Sequence, residues 1–182
     1  MTRAEKAMGL IGQLAEKVGF DPFAQSSVGD GLAAQMEANG KHYRTILEIG
    51  TLRGVSAVVL AHFAENVITI DVERHKQLPD ILKWLPRDTA QRISTVLVTD
   101  NDSKARLVNA LSFDFAFIDA GHSELQVSID FGLCRKCGAM LFHDYPMSGS
   151  GCNGPGLVLD AARDRGDGVV TTDPPFAWWR AE

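Results

Sequence analysis

Hydrophobic positions along the chain fall into two alternating patterns, short β-branched runs and longer stretches with helical spacing. The short runs predict strands, and the longer stretches predict the helices between them. Strands are predicted near residues 45–50, 66–71, 94–99, 113–119, 138–143, 168–172 and 176–180. Helices are predicted near 54–64, 76–84, 103–110, 123–133 and 156–165, preceded by two further helices at 2–18 and 28–39.

This alternation indicates an α/β fold with a doubly wound, seven-stranded, mostly parallel sheet of the Rossmann-like kind. The last two strands flank Asp173, Pro174 and Pro175 and predict an antiparallel hairpin at the end of the sheet. With 182 residues, of which 45% are hydrophobic, the chain is long enough for one full core. We therefore expect a single domain over residues 1–182, with 1–40 as an N-terminal helical extension.

The segment ILEIGTLRGVSAVVLA, residues 46–61, joins a predicted strand to a predicted helix through a glycine turn. Glycine at 50 and 54 would let the backbone approach a ligand, and free N–H groups at a helix start favour an anion. Asp71 ends the next strand, where a βαβ nucleotide site places its ribose-binding carboxylate. Leu52 stands where a dinucleotide fingerprint needs its second glycine. The segment predicts an adenosine-containing ligand other than a dinucleotide.

Acidic and histidine residues follow two later strands. Asp119 ends the fourth strand with His122 shortly after it, and the fifth strand ends in His143 and Asp144. The ends of such strands converge beside the ligand crevice of an open α/β sheet. Two carboxylates there could share Mg²⁺, which would lower the pKa of a hydroxyl acceptor. The structural alternative is that Asp119 caps the following helix and the other residues form structural hydrogen bonds.

Composition restricts the partners. The formal net charge is −5 and the chain has no run of Lys or Arg, so no nucleic-acid surface is expected. The N-terminus lacks a signal-like apolar core and no segment reaches about 18 apolar residues, so we expect a cytoplasmic protein without a membrane contact. Cys134 and Cys137 are expected to be packed free thiols, and the alternative is a zinc knuckle with Cys152 or His143.

Glu48, Gly50 and Gly54 form an E-x-G-x-x-x-G pattern, which resembles the first motif of class I S-adenosylmethionine-dependent methyltransferases. The further segments VITID, FAFIDAGHSELQ and GAMLFHDY extend the resemblance to small-molecule and sugar O-methyltransferases, catechol O-methyltransferase among them. The chain is also similar to a bacterial methyltransferase family with an F-I-D-G-x-H type of fourth motif. The resemblance covers residues 28–180 and implies a terminal antiparallel hairpin, as predicted above.

The resemblance also implies roles for individual residues. Gly50 and Thr51 would pack against the methionine part of S-adenosylmethionine, and Ser56 would bind its carboxylate. Asp71 would bind the ribose hydroxyls, and Asp100 or Asn101 would lie near the adenine. Asp119 would face the amino group of the cofactor or a metal ion, and Asp144 would complete a Mg²⁺ site.

Two departures from the catechol-type pattern open alternatives. Tyr145 stands where those enzymes have an asparagine ligand, so His143 or His122 could serve as general base instead of a metal. The turn before the last strand is minimal, so a partner subunit in a homo-oligomer, or a large substrate, would complete the pocket. Asp173 to Phe176 match a signature of DNA amino-methyltransferases, but they lie at the last hairpin rather than after the fourth strand.

The expected activity is methyl transfer from S-adenosylmethionine to a hydroxyl of a small molecule or sugar. The alternatives are an N- or protein methyltransferase and a non-catalytic S-adenosylmethionine-binding domain.

Overall fold

The computed structural model describes residues 1–19, 28–146 and 153–182. Its helices are α1 (Arg3–Val18), α2 (Val28–Asn39), α3 (Val55–Leu60), α4 (Leu78–Trp84), α5 (Arg87–Ala90), α6 (Asn101–Ala110), α7 (Glu124–Cys134) and α8 (Gly154–Asp164). Its strands are β1 (Tyr43–Ile49), β2 (Ala64–Asp71), β3 (Ile93–Leu97), β4 (Phe115–Ile118), β5 (Ala139–Phe142), β6 (Val169–Asp173) and β7 (Phe176–Arg180). None of the described helices is long and apolar enough to cross a membrane.

The strands form one seven-stranded sheet in the order β3-β2-β1-β4-β5-β7-β6. The pairs β2–β3 and β4–β5 are parallel, and β7 runs antiparallel to both β5 and β6. The predicted fold class and the terminal hairpin are therefore confirmed.

Two local predictions were wrong. The helix predicted over 54–64 ends at Leu60, and β2 already begins at Ala64. Both ends of this junction are apolar and buried, so periodicity alone does not separate them. The short helix α5 was not predicted, because its four residues are too few to show a helical period.

By their contacts, the residues group into two compact units. The first unit comprises residues 1–46 and 51–97. Helix α1 begins with a capping box between Thr2 and Glu5 and buries Ala7, Ile11 and Leu14, which share one helix face. This helix contacts α2, α3 and α4. Buried apolar stripes thus hold the helices of this unit together.

The second unit comprises residues 47–50 and 98–182. All four residues of β4 are buried, and β4 pairs with β5. Trp178 and Trp179 of β7 are buried: Trp178 packs against Phe115, and Trp179 packs edge-on against Phe131. Trp178 and Trp179 are therefore core residues of the hairpin and are not exposed for stacking with a nucleic-acid base.

A buried ion pair joins α6 to α7 within the second unit. Lys104 Nζ donates a hydrogen bond to Asp130, and both side chains are almost fully buried. Burial raises the pKa of Asp130, although the bond and charge of Lys104 and the bond from Gln126 oppose that rise. Removing either partner would leave an uncompensated charge in the core.

Gly50 ends β1 at a point where the chain has no room for a side chain. Its φ is +106°, and a Cβ built there would lie 1.9 Å from the carbonyl oxygen of Asp119. The amide of Asp119 donates to the Ile49 carbonyl at 2.9 Å, which holds the two segments at this distance. Glycine is therefore required here by the protein's own backbone, whereas the sequence suggested approach of a ligand.

We predict that Gly50→Ala lowers the free energy of unfolding by about 3 kcal/mol or more, because it adds a backbone clash to an unfavourable φ. Gly138 is the matched control: its φ is +74°, and a Cβ there would meet no atom within 4 Å. Gly138→Ala should cost only about 1 kcal/mol. Equal losses in urea denaturation would contradict the clash.

Candidate active site

The turn after β1 is held by the carboxylate of Asp71 within the first unit. The backbone amides of Thr51 and Leu52 each donate to Asp71 Oδ2 at 2.9 Å. Gly54 donates its amide to the Thr51 carbonyl at 2.7 Å, which closes the turn. Leu52 and Gly54 have φ of +44° and +86°, so this turn combines left-handed backbone with direct bonds to β2.

Asp71 accepts further backbone bonds at its other oxygen. The amide of Val72 donates to Oδ1 at 2.7 Å and that of Glu73 at 3.4 Å. The hydroxyls of Thr51 and Thr69 lie 2.6 Å apart and form a second link from the turn to β2. We did not predict a role for Thr69, and the available signal was a hydroxyl residue inside an otherwise apolar strand.

The remaining predicted cofactor residues near this turn are mostly buried. Ser56 lies in the first turn of α3 and Glu48 lies on β1, and both are buried. A Cβ on Gly54 would lie 2.7 Å from a methyl group of Leu78, which is the end of a flexible side chain. Glycine at 54 is therefore needed for its backbone conformation more than for space.

In the second unit, the ends of β4 and β5 bring together the acidic and histidine residues expected there. Nδ1 of His143 lies 3.3 Å from Asp119 Oδ1 and 3.2 Å from Asp144 Oδ1. Because ionised carboxylates only accept hydrogen bonds, Nδ1 carries the proton and faces both acids. One imidazole thus bridges two carboxylates.

His122 joins the same cluster from the segment before α7. Its Nε2 lies 2.7 Å from Asp144 Oδ2, and its side chain is about one-third exposed. The cap of α7 is Ser123, whose hydroxyl accepts from the Gln126 amide. The structural alternative that Asp119 caps this helix is therefore wrong. Asp144 itself has φ of +60°, an unusual backbone conformation at the centre of the cluster.

The carboxylates and the histidines of this cluster each favour the charged form of the other. Burial alone would lower the pKa of His143, but the hydrogen bonds and charges of Asp119 and Asp144 outweigh it and raise the pKa to about 9. Burial opposes ionisation of Asp144, yet His143 and His122 lower its pKa overall. At neutral pH the cluster therefore contains an imidazolium between two carboxylates.

Two ring nitrogens of the cluster make no hydrogen bond within the described part of the chain: Nε2 of His122, which nevertheless lies 2.7 Å from Asp144 Oδ2, and Nε2 of His143. Nε2 of His143 is buried and makes no hydrogen bond to residues 1–19, 28–146 or 153–182. In the protonated ring this nitrogen is a donor, and buried donors are nearly always satisfied in native proteins. A ligand oxygen is a suitable partner for it.

The residues predicted to lie near the adenine occupy the start of α6. Asp100 is the N-cap of this helix, and its carboxylate accepts from the Ser103 amide at 2.6 Å and the Thr99 hydroxyl at 2.7 Å. These bonds lower its pKa to about 2. Gln126 donates to Asn101 Oδ1 at 3.4 Å, a contact between α7 and α6 that we did not predict.

A comparison with models of known families matched residues 47–145 to the methyltransferase domain family. The match covers more than half of the chain and contains every predicted catalytic and cofactor residue. The chain belongs to this family. A comparison with curated protein sequences gave no match.

Solved structures support the same fold. The tomaymycin O-methyltransferase TomG from Streptomyces achromogenes, in complex with S-adenosylmethionine, is 18% identical, with a TM-score of 0.65 over 96% of this chain and 89% of that one. An O-methyltransferase from Bacillus cereus with bound S-adenosylhomocysteine is 17% identical, with a TM-score of 0.64 over 99% and 90%. MycE of the mycinamycin pathway, with Mg and S-adenosylhomocysteine, is 14% identical, with a TM-score of 0.61 over 94% and 54%.

The donor atoms in this methyltransferase domain fit a divalent cation. One ligand atom from each of Asp119, His143 and Asp144 lies within 4.8 Å of the others, the one such group found among the described residues. Two carboxylates suit Mg²⁺, and the added imidazole also suits transition metals. Cys134 and Cys137 belong to no such group, and Cys152 lies outside the described residues.

The raised pKa of His143 makes stability depend on pH. Its contribution is fully present below the unfolded-state value of about 6.5 and is lost as pH rises through about 9. At about 1.4 kcal/mol per pKa unit, we predict a loss of about 3 kcal/mol across this range. Urea denaturation at several pH values measures it.

His143→Gln should flatten this dependence, because the amide keeps a hydrogen bond but does not titrate. His62→Gln is the control: His62 also has a hydrogen-bonded Nδ1, to the Val58 carbonyl, but lies outside the cluster. A wild-type slope in His143→Gln would show that another group causes the dependence.

Proposed function

We propose that the chain transfers the methyl group of S-adenosylmethionine to a hydroxyl of a small molecule or sugar. The observation that carries this proposal is the cluster of His122, His143, Asp119 and Asp144, whose buried His143 Nε2 requires an oxygen partner. Family membership provides the reaction class, and the cluster provides groups that orient a hydroxyl and accept its proton.

The methyl donor would bind at the turn after β1. Thr51 and Ser56 supply buried hydroxyl groups, and the exposed left-handed residue Leu52 leaves backbone accessible beside them. Such a turn suits a zwitterionic ligand with several hydrogen-bonding groups. When bound, S-adenosylmethionine supplies an electrophilic methyl group on a sulfonium. The residues proposed to hold it are Glu48, Gly50, Thr51, Gly54, Ser56, Asp71, Asp100, Asn101 and Asp119.

His122 is the residue best arranged to take the acceptor proton. Nε2 of His122 lies 2.7 Å from Asp144 Oδ2, so we assign the proton of the neutral ring to Nε2 and the proton-accepting lone pair to Nδ1. The side chain of His122 is about one-third exposed, so an acceptor can approach the ring from solvent. A carboxylate that orients a histidine and stabilises its cation is a recurrent arrangement for general bases.

His143 has a different role, because its pKa of about 9 keeps it protonated at neutral pH. A protonated imidazole is a poor base. Its unpartnered Nε2–H can donate to the acceptor oxygen and stabilise the negative charge that develops there. Asp119 and Asp144 hold this ring from the other side. The two histidines that the sequence left as equivalent candidates are therefore assigned separate tasks.

A metal-assisted route is the second candidate, supported by the donor group described above. Asp119 and Asp144 would hold Mg²⁺, which would lower the pKa of the acceptor hydroxyl. A cation there competes with the proton of His143 for the same carboxylate oxygens. The two routes therefore respond oppositely to a chelator.

Ligand binding tests the proposed donor. We predict that isothermal calorimetry detects binding of S-adenosylmethionine and S-adenosylhomocysteine and no comparable binding of NAD. Leu52 replaces a glycine of the dinucleotide turn, which is the physical reason for this selectivity. Tighter binding of NAD than of S-adenosylhomocysteine would overturn the assignment. Turnover with a panel of hydroxyl, amine and peptide acceptors then identifies the acceptor class and separates an enzyme from a binding domain.

With an acceptor in hand, His122→Gln should lower turnover by about 10²–10⁴ while leaving affinity for S-adenosylhomocysteine nearly unchanged. His42→Gln, at an exposed histidine ahead of β1, is a control that should retain wild-type turnover. Wild-type turnover in His122→Gln would remove this residue from the chemistry.

The same assay in EDTA decides between the routes. Retained wild-type activity supports the histidine route. Loss of activity that is restored by Mg²⁺ supports the metal at Asp119 and Asp144 instead.

A further inference from the structure

The start of helix α8 contacts the backbone of the proposed base. His122 lies between β4 and α7, outside any helix or strand. Its carbonyl accepts a hydrogen bond at 2.9 Å from the amide of Gly154, the first residue of α8. The ring of His122 lies 2.7 Å from the carboxylate of Asp144. Helix α8 therefore restrains the backbone of a histidine whose ring has to meet a carboxylate from another segment.

The contact between α8 and His122 leaves no room for a side chain at residue 154. A Cβ built on Gly154 would lie 2.5 Å from the His122 carbonyl oxygen, and 2.7 and 2.8 Å from the carbonyl oxygen and carbon of Ser123. All three atoms belong to the backbone, so no side-chain rotation relieves the overlap. Because Gly154 is helical, alanine would suit its backbone conformation. A substitution there would act by pushing the His122–Ser123 backbone away from α8.

A second bond connects α8 to the segment that carries the carboxylate. Tyr145 directly follows Asp144, and its hydroxyl donates to Oδ1 of Asp160 on α8 at 2.8 Å. Burial and the neighbouring Asp160 raise the pKa of Tyr145, so the hydroxyl keeps its proton and remains a donor. The amide of Tyr145 also donates to the Pro175 carbonyl at 2.9 Å. The residue next to Asp144 is thus held through both its side chain and its backbone.

Helix α8 is firmly packed in the second unit. It contacts α7 and β6. Its buried residues are Gly154, Pro155, Gly156, Val158, Leu159 and Ala162. One packed helix therefore makes bonds to the segment that carries His122 and to the segment that carries Asp144.

We infer that α8 positions the proposed base, with Gly154 and Tyr145 as positioning residues that hold His122 and Asp144 at the distance where they can pair. The inference rests on the proposed function, in which His122 takes the proton of the acceptor. A misplacement of about 1 Å at a catalytic group can lower a rate by about 100-fold. The contribution of α8 should therefore appear in turnover rather than in ligand affinity.

Paired glycine variants test the inference. Gly154→Ala introduces the clash, and Gly132→Ala is the matched control, because Gly132 lies on α7 and a Cβ there would meet no neighbouring atom within 4 Å. With the acceptor that the panel identifies, Gly154→Ala should lower kcat by about 10- to 100-fold. The KM of that acceptor and the affinity for S-adenosylhomocysteine should stay within about twofold of wild type. Gly132→Ala should match wild type in all three quantities.

A double variant separates positioning from a general loss of structure. If Gly154 acts through His122, Gly154→Ala should cause no further loss of kcat in protein that already carries His122→Gln. A purely structural effect would lower kcat by the same factor in both backgrounds, and this result would overturn the inference. An unchanged kcat in Gly154→Ala would also overturn it.

The distance between His122 Nε2 and Asp144 Oδ2 gives a readout that needs no acceptor. In a crystal structure of ligand-free Gly154→Ala this distance should exceed about 3.5 Å, beyond hydrogen-bonding reach. In Gly132→Ala it should stay as in the wild-type protein. An unchanged distance in Gly154→Ala would overturn the inference. Wild-type turnover in His122→Gln would instead overturn the proposed base, and the distance would still decide whether α8 sets the pair.

Tyr145→Phe keeps the inference testable if Gly154→Ala does not fold. It removes the bond to Asp160 and leaves the ring in place, so it should lengthen the same distance and lower kcat without changing the affinity for S-adenosylhomocysteine. Tyr43→Phe is its control, because it removes a hydroxyl that is bonded to Asn39 in the first unit and should change none of these quantities. Wild-type distance and kcat in Tyr145→Phe would then overturn the inference.

Discussion

The contact between Gly50 and the backbone of Asp119 is the constraint on which the second unit's site depends. A side chain at residue 50 would occupy the position of the Asp119 carbonyl, so only glycine lets the end of β1 lie this close. The bond from the Asp119 amide to Ile49 maintains the approach. The side chain of Asp119 contacts Nδ1 of His143, and the same nitrogen contacts the carboxylate of Asp144. The close contact between the backbones of Gly50 and Asp119 thus fixes the position of the first residue of the cluster.

Charge balance determines how these side chains behave. Two carboxylates in a mostly buried cluster would be costly without a cation beside them. His143 supplies that cation by holding its proton to about pH 9, and this same property makes it unsuitable as a base. His122 contacts only one of the acids and is more exposed. The roles that we propose for the two histidines differ because His143 contacts two carboxylates and His122 contacts one.

Much of the fold could be predicted from the sequence because strand and helix periods are local properties. The residues at the ends of β4 and β5 could also be predicted to meet, since strand ends in an open α/β sheet converge. The hydrogen bonds that each carboxylate makes could not be predicted from the sequence. Asp100 and Asp71 are predicted to contact the ligand, and the structure adds bonds that the sequence did not indicate: Asp100 caps a helix, and Asp71 accepts from four backbone amides. The partners are backbone amides, which almost every residue has, so the pattern of side chains does not indicate which of them will donate.

The chemical class of the methyl acceptor could not be predicted from the sequence either, because hydroxyl, amine and peptide acceptors are bound by similar types of side chain. Family membership narrows the chemistry to methyl transfer, and the cluster favours an acceptor that must lose a proton. What distinguishes an oxygen acceptor is the unpartnered Nε2–H of His143, a donor that suits a developing alkoxide better than an amine nitrogen.

The most direct measurement of this account is a crystal structure of the protein with S-adenosylhomocysteine. We expect the ligand on the Thr51–Gly54 turn, beside the carboxylate of Asp71. A ligand bound away from this turn would contradict the proposed function.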